Sequence, residues 1–350
     1  MTTSYPVLDA DSHIREVSDD YGSRVAEEFR RTRHAFFPGD CWDRFLGRLG
    51  KQTIGMNGYM ADLDVEGIDM TVSYPTMGLS LSLVPQSDLQ LELARAWNDY
   101  VGEIQQQQPR LRGVAMVSLR DVPAAVAELN RAVTKWHLPA VMIHTHGHRK
   151  NLGAEAFWPI YAEAERLGVP VCFHGNSWGA EGQERWENFL QAHTVSFSFE
   201  IMQAFLGMLT SGVMERYQKL KLGFFEAGCG WLPYWLDRID EHYEKRQEEA
   251  PLLKGKPSEY VASGRVYVSF DPDDAMLPYC MERYGDDMWL FAADYPHWDT
   301  LFPNATREVR ERTDISEAQK RRVFFDNVNE FYSLGLKAED FAKTSNAASA

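Results

Sequence analysis

The stretch "FAADYPHWD" at 291–299 runs an apolar segment straight into Asp294, with His297 and two large aromatics close behind. An acid and an imidazole so close can bind a metal ion or exchange a proton. Asp and Pro after an apolar run also make an ordinary strand end and turn. The pattern recurs, however. "DADSH" brings Asp11 and His13, "MIHTHGH" brings His144, His146 and His148, "CFHG" brings His174, and "FFEAG" brings Glu226. Asp11 and His13 lie two apart, which on a strand gives them one face. Two imidazoles and two carboxylates offer two nitrogens and two or more oxygens to a divalent ion, with positions left for water or substrate. That set suits Zn²⁺, Mn²⁺ or Fe²⁺. One Asp-x-His pair alone is more often structural; recurrence at several strand ends favours a site.

These residues need elements to bring them together. Apolar runs suited to buried strands lie at 6–13, 69–76, 111–119, 139–147, 169–176, 220–228, 265–272 and 288–296. Helical patterns separate most of them. "DVPAAVAELNRAV" starts with Asp121 as N-cap and Pro123 in the first turn. "GAEAFWPIYAEAERLG" ends at Gly168, a C-cap. Ser316 and Gln319 have capping-box spacing. Eight strands alternating with helices predict an α/β fold, a (β/α)8 TIM barrel, in which the strand ends converge on one mouth. A doubly wound sheet is disfavoured because no glycine-rich phosphate turn follows the first strand. We expect one barrel domain over 1–335, with long loops after strands 1 and 5 as insertions at 14–60 and 176–195. The polar tail 336–350 reads as disordered. Alternation along "LKLGFFE" turns Glu226 toward the axis and Phe225 away from it.

The chain has 350 residues, 51 acidic against 36 basic, for a net charge of -15. No basic block stands out, so nucleic acid and anionic membranes are poor partners. No apolar run approaches the ~18 residues that span a bilayer. Cys41, Cys172, Cys229 and Cys280 are scattered, against both a disulfide framework and a cysteine zinc site. With no signal pattern at the N-terminus, the expectation is a cytoplasmic protein.

The motifs "DADSH", "PAVMIHTHGHRKNLGAEAFWPIYAEAERLGVPVCFHG", "SGVMERYQKLKLGFFEAGCGWLP" and "WLFAADYPHWD" together resemble the amidohydrolase superfamily. The similar branch contains aminocarboxymuconate semialdehyde decarboxylase and the hydroxybenzoate decarboxylases. The resemblance runs from Val7 to Tyr332. It implies metal ligands at Asp11, His13, His174 and Asp294, and one divalent ion, Zn or Mn with Fe possible. The family often has His-x-His on strand one; Asp-x-His lowers the site charge by one unit, which favours Mn²⁺ over Zn²⁺. Where the decarboxylases commonly carry a histidine on strand six, this chain has Glu226. A carboxyl group there can serve as general acid or base, bind the metal, or orient a ligand.

The expected activity is decarboxylation of a small carboxylated aromatic or unsaturated acid, with Asp294 or Glu226 supplying the proton. The alternative is hydrolysis of a C–N, C–O or activated C–C bond, with the same groups as base. A barrel keeping such ligands for stability alone is disfavoured, because polar groups at a mouth usually cost stability. Substrate contacts are expected from His146, His297, His193 and Trp178, with Arg44 and Arg48 as cations for a carboxylate. A homo-oligomer, a dimer, is expected.

Overall fold

The computed structural model describes residues 5–16, 23–30, 55–176 and 185–345. Among the described residues nine parallel strands follow the eight apolar runs: β1 (Leu8–Ile14), β2 (Met70–Pro75), β3 (Leu111–Gly113), β4 (Ala115–Met116), β5 (Val141–His144), β6 (Val171–His174), β7 (Leu222–Phe225), β8 (Val266–Phe270) and β9 (Trp289–Phe291). β1-β2-β3 form one ladder and β4 to β9 the other. β3 and β4 share one barrel position, interrupted at Val114. The Val114 N–H donates to Ser73 O on β2 at 3.0 Å, whereas Ala115 N–H turns to Ala140 O at 2.9 Å. The ring closes between the last strand and the first, where Asp294 N–H donates to Asp11 O at 3.0 Å and His13 N–H to Tyr295 O at 2.7 Å. This is the expected (β/α)8 barrel.

The capping chemistry acts as read. The Asp121 side chain accepts from Ala124 N–H at 3.0 Å and starts helix Val122–Trp136. Gly168, at φ 73°, ends Trp158–Leu167, and Ser316 with Gln319 forms a capping box. Two features differ from expectation. The segment 176–195 is not loop throughout: Asn188 caps a helix, Phe189–Thr210, which places His193 and Phe197 one turn apart. The tail called disordered contains a helix, Ala338–Ser345, whose Phe341 packs 6.4 Å from Phe325. Its low apolar content hid the few residues that anchor it, Leu336, Ala338 and Phe341.

Candidate metal centre

Register and backbone twist, more than strand alternation, aim the polar groups. Along β1 the pairing with β2 slips by one residue between Asp9 and Ser12. Asp9 and Ser12 thereby face Thr71 and Ser73, while Asp11 and His13 turn together into the barrel mouth, Oδ1 to Nε2 3.6 Å. On β7, Phe224 packs outward, edge-on to Phe205 of the helix layer, and Phe225 packs inward against Tyr74. The expectation that Phe225 faces away from the axis is therefore corrected. Glu226 still reaches the interior because its backbone is left-handed, φ 60°, so two successive residues point inward. Asp294 shares that conformation, φ 49°. Left-handed backbone in a residue other than glycine is uncommon and gathers at functional sites.

The result is a cluster of donor atoms. His174 Nε2 lies 2.9 Å from Glu226 Oε2 and 3.5 Å from Asp11 Oδ2; His13 Nε2 lies 3.3 Å from Asp294 Oδ1. Donors that share one ion at ~2.1 Å stand about 3–3.5 Å apart. The tautomers fit too. His13 Nδ1–H donates to Pro75 O and His174 Nδ1–H to Gly175 O, both at 2.9 Å, so each Nε2 presents its lone pair to the cluster. Asp11 Oδ1, His13 Nε2, His174 Nε2, Glu226 Oε2 and Asp294 Oδ1 are all buried without a hydrogen-bond partner. Buried polar atoms are normally satisfied, and these five orphans fall in two groups that share His13, Asp11 with His174 and Glu226 with Asp294, donor sets that fit a divalent cation.

Electrostatics agrees. Burial and the charge of Asp294 push Glu226 up to about 8. Burial, then Asp299 and Asp11, hold Asp294 well above the usual carboxylate range. Burial, then His297 and His174, keeps His13 well below the usual imidazole range. For His174 burial pulls downward, but the Glu226 and Asp11 carboxylates outweigh it and hold it well above. Crowded carboxylates that resist ionising are what a cation would relieve.

Above the cluster lies a chamber with Met77, Leu79, Phe197 and Trp298 among its walls and Glu226 and His297 at its floor. Asp294 and Glu226 also line an adjoining cavity of about 880 Å³ that reaches Asp271 and Asp299. His297 lies beside the cluster: its ring stacks on His13 at 3.9 Å, and its Nδ1 is 2.8 Å from Asp294 Oδ1. His193 stands at the rim, 4.8 Å from Phe197 and 5.3 Å from Trp298 between ring centres. His146, expected as a substrate contact, stands behind the wall instead. Its Nε2 is 3.2 Å from Ser82 Oγ and 3.4 Å from Asn176 Nδ2, and it lines a separate cavity. His144 is deeper still, bonded through Nε2 to Gly78 O at 2.8 Å. Arg44, Arg48 and Trp178 lie outside the described residues.

Two acids escaped the sequence reading. Asp9, fully buried, accepts from Ala293 N–H at 2.9 Å, Asp11 N–H at 3.2 Å and Thr71 Oγ at 2.9 Å, tying β1 to β2 and to the end of β9. Glu16 accepts from the N–H groups of Thr76, Met77 and Gly78 at 3.2, 2.8 and 2.8 Å. It thereby fixes the turn Met77–Leu83 that walls the chamber. An Asp inside an apolar strand run was the available signal for Asp9. Glu16 had none, because its partners are backbone amides about 60 residues away.

A family model described as amidohydrolase matches residues 56–334. The chain is 26% identical over 248 residues to 2-amino-3-carboxymuconate-6-semialdehyde decarboxylase of Dictyostelium discoideum, covering 70% of this chain and 67% of that protein. It is 24% identical over 315 residues to gamma-resorcylate decarboxylase of Rhodococcus jostii, covering 85% and 93%. Among solved structures, 5-carboxyvanillate decarboxylase of Novosphingobium aromaticivorans, complexed with manganese and 4-hydroxy-3-methoxy-5-nitrobenzoic acid, superposes with a TM-score of 0.76. That match covers 95% of this chain and 98% or 97% of its counterpart in two structures, the first of them a mutant, at 21% identity, and speaks for the fold.

Proposed function

The chain belongs to the amidohydrolase family, and we propose that it is a metal-dependent decarboxylase of a small carboxylated aromatic or unsaturated acid. The observation that carries this reading is the ring of five orphaned donor atoms beneath a chamber with aromatic walls. Asp11, His13, His174 and Asp294 are the proposed ligands of one divalent ion, Mn²⁺ or Zn²⁺ with Fe²⁺ a further option. The manganese-bound decarboxylase of the same fold supports Mn²⁺. Such an ion supplies positive charge that binds the substrate's carboxylate or adjacent hydroxyl and draws electrons from the reacting carbon.

The chain's own groups do the rest. Pro75 O and Gly175 O hold the two imidazoles in one tautomer. Phe197 and Trp298 on one side and Met77 and Leu79 among the other walls can enclose a flat ring and exclude water. Asp294, beside His297 Nδ1, and Glu226 are the carboxyl groups placed to hold a proton for the carbon that loses carbon dioxide. His193 and His297 are the substrate contacts among the described residues, and Arg44, Arg48 and Trp178, outside them, stay in the proposal as substrate contacts expected from the sequence. Among the described residues lining the chamber there is no Lys or Arg.

Glu226 gives a second reading, hydrolysis of a C–N, C–O or activated C–C bond, because a carboxyl group there can take a proton from water. Incubating the manganese-loaded protein with gamma-resorcylate, 5-carboxyvanillate and 6-methylsalicylate in ¹⁸O water separates the two. Carbon dioxide release without ¹⁸O in the organic product is expected; ¹⁸O incorporation without carbon dioxide would replace decarboxylation by hydrolysis.

The protein is also proposed to be a single-domain cytoplasmic homodimer. Cys172, Cys229 and Cys280 are free thiols, and no helix among the described residues is long and apolar enough to cross a membrane. Phe199, Leu206 and Tyr234 expose apolar surface on two neighbouring helices, Phe189–Thr210 and Trp231–Lys245. Light scattering showing a mass of one chain would remove the dimer.

A further inference from the structure

We propose that Glu226 is a fifth protein donor to the metal, so that the ion is held by two imidazoles and three carboxylates. The inference rests on the metal-dependent reading above and concerns what this chain's own residue does there. Glu226 Oε2 is 2.9 Å from His174 Nε2 and 4.0 Å from His13 Nε2. These values bracket the spacing of the other proposed donors, 3.3 Å for Asp294 with His13 and 3.5 Å for Asp11 with His174. Donors of one ion stand at such distances from each other.

The contact with His174 is no ordinary hydrogen bond. Both atoms are close, yet each remains without a hydrogen-bond partner, as do Asp11 Oδ1, His13 Nε2 and Asp294 Oδ1. With its Nδ1–H given to Gly175 O, a neutral His174 turns its Nε2 lone pair toward Glu226 Oε2 at 2.9 Å, a spacing at which both atoms can serve one cation. The local fold is built to hold Glu226 there. Its backbone is left-handed, φ 60°, and its N–H is anchored on Ser269 Oγ at 3.0 Å, aiming the side chain inward past the end of β7. A third carboxylate adds a hard oxygen donor, which favours Mn²⁺ over Zn²⁺.

The test uses Mn²⁺ alone, titrated calorimetrically into metal-free full-length protein without substrate. Wild type should bind about one equivalent. E226A and E226Q should bind about 100-fold more weakly, since even groups that only orient ligands cost 10–100-fold. The Mn²⁺ electron-spin resonance spectrum should change with them. Wild-type affinity in either folded variant, with an unchanged spectrum, overturns the inference: Glu226 then only moves protons. Circular dichroism identifies which variant is folded, and the amide of E226Q preserves the shape if E226A is not. Failure of the wild type to bind Mn²⁺ would tell against the metal-dependent reading itself, a separate outcome.

Discussion

Replacing Glu16 by Gln should flatten part of the protein's stability-versus-pH curve. Glu16 is buried, and burial pushes its carboxyl group up to about 7 from the ordinary 4.5, despite the amides of Met77, Gly78 and Thr76 pulling downward. A carboxyl whose folded pKa is raised binds its proton more tightly in the folded state. Its contribution is therefore fully present below pH 4.5 and is lost as pH rises to about 7. The shift corresponds to about 3 kcal/mol, an order-of-magnitude figure. The Gln side chain does not titrate, but it has a cost of its own. Oε2 of Glu16 takes Thr76 and Met77 N–H while Oε1 takes Gly78 N–H, so either orientation of a Gln amide sets its NH₂ against an N–H group. That mismatch costs about 1–3 kcal/mol at any pH. Wild type should thus be the more stable protein at pH 4.5, and its advantage should shrink by up to about 3 kcal/mol by pH 7.5. Urea unfolding of both proteins, followed by far-ultraviolet circular dichroism at half-unit steps, reads the difference. Parallel curves across that range would refute the argument that Glu16 titrates where it sits.

Three further outcomes follow from single residues. His174→Ala should lose most of about one bound divalent ion by elemental analysis, because the fully buried Nε2 between Asp11 and Glu226 has no substitute; full occupancy would remove it from the ligand set. Asp9→Ala deprives three donors of one acceptor and should cost about 3–5 kcal/mol in chemical denaturation, with a loss under about 1 kcal/mol contradicting its role as the tie between β1 and the end of β9. Phe197→Ala opens the chamber wall beside His193 and should raise KM for an aromatic acid about tenfold or more with little change in kcat; an unchanged KM would place the ring elsewhere.

The sequence by itself determined the barrel and most of its chemistry. Doubly buried parallel strands must be apolar runs, so a charged or imidazole side chain at the end of such a run stands out: Asp11, His13, His174, Glu226 and Asp294 were all visible that way. Caps at Asp121, Gly168 and Ser316 were equally legible, because capping chemistry is local. Tertiary structure decided what depends on register and on distant backbone. A one-residue slip in β1 separated Asp9 from Asp11, which strict alternation would have put on one face. Left-handed turns at Glu226 and Asp294 broke the same alternation, reversing the expectation for Phe225. His146 was expected as a substrate contact, but Asn176, 3.4 Å from its Nε2, lines the chamber in its place. Glu16 found its three amides only once β1 and β2 lay side by side. Periodicity reports which residues are buried; which way a strand's last residue points is set by the turn that ends it and the neighbours that fix that turn.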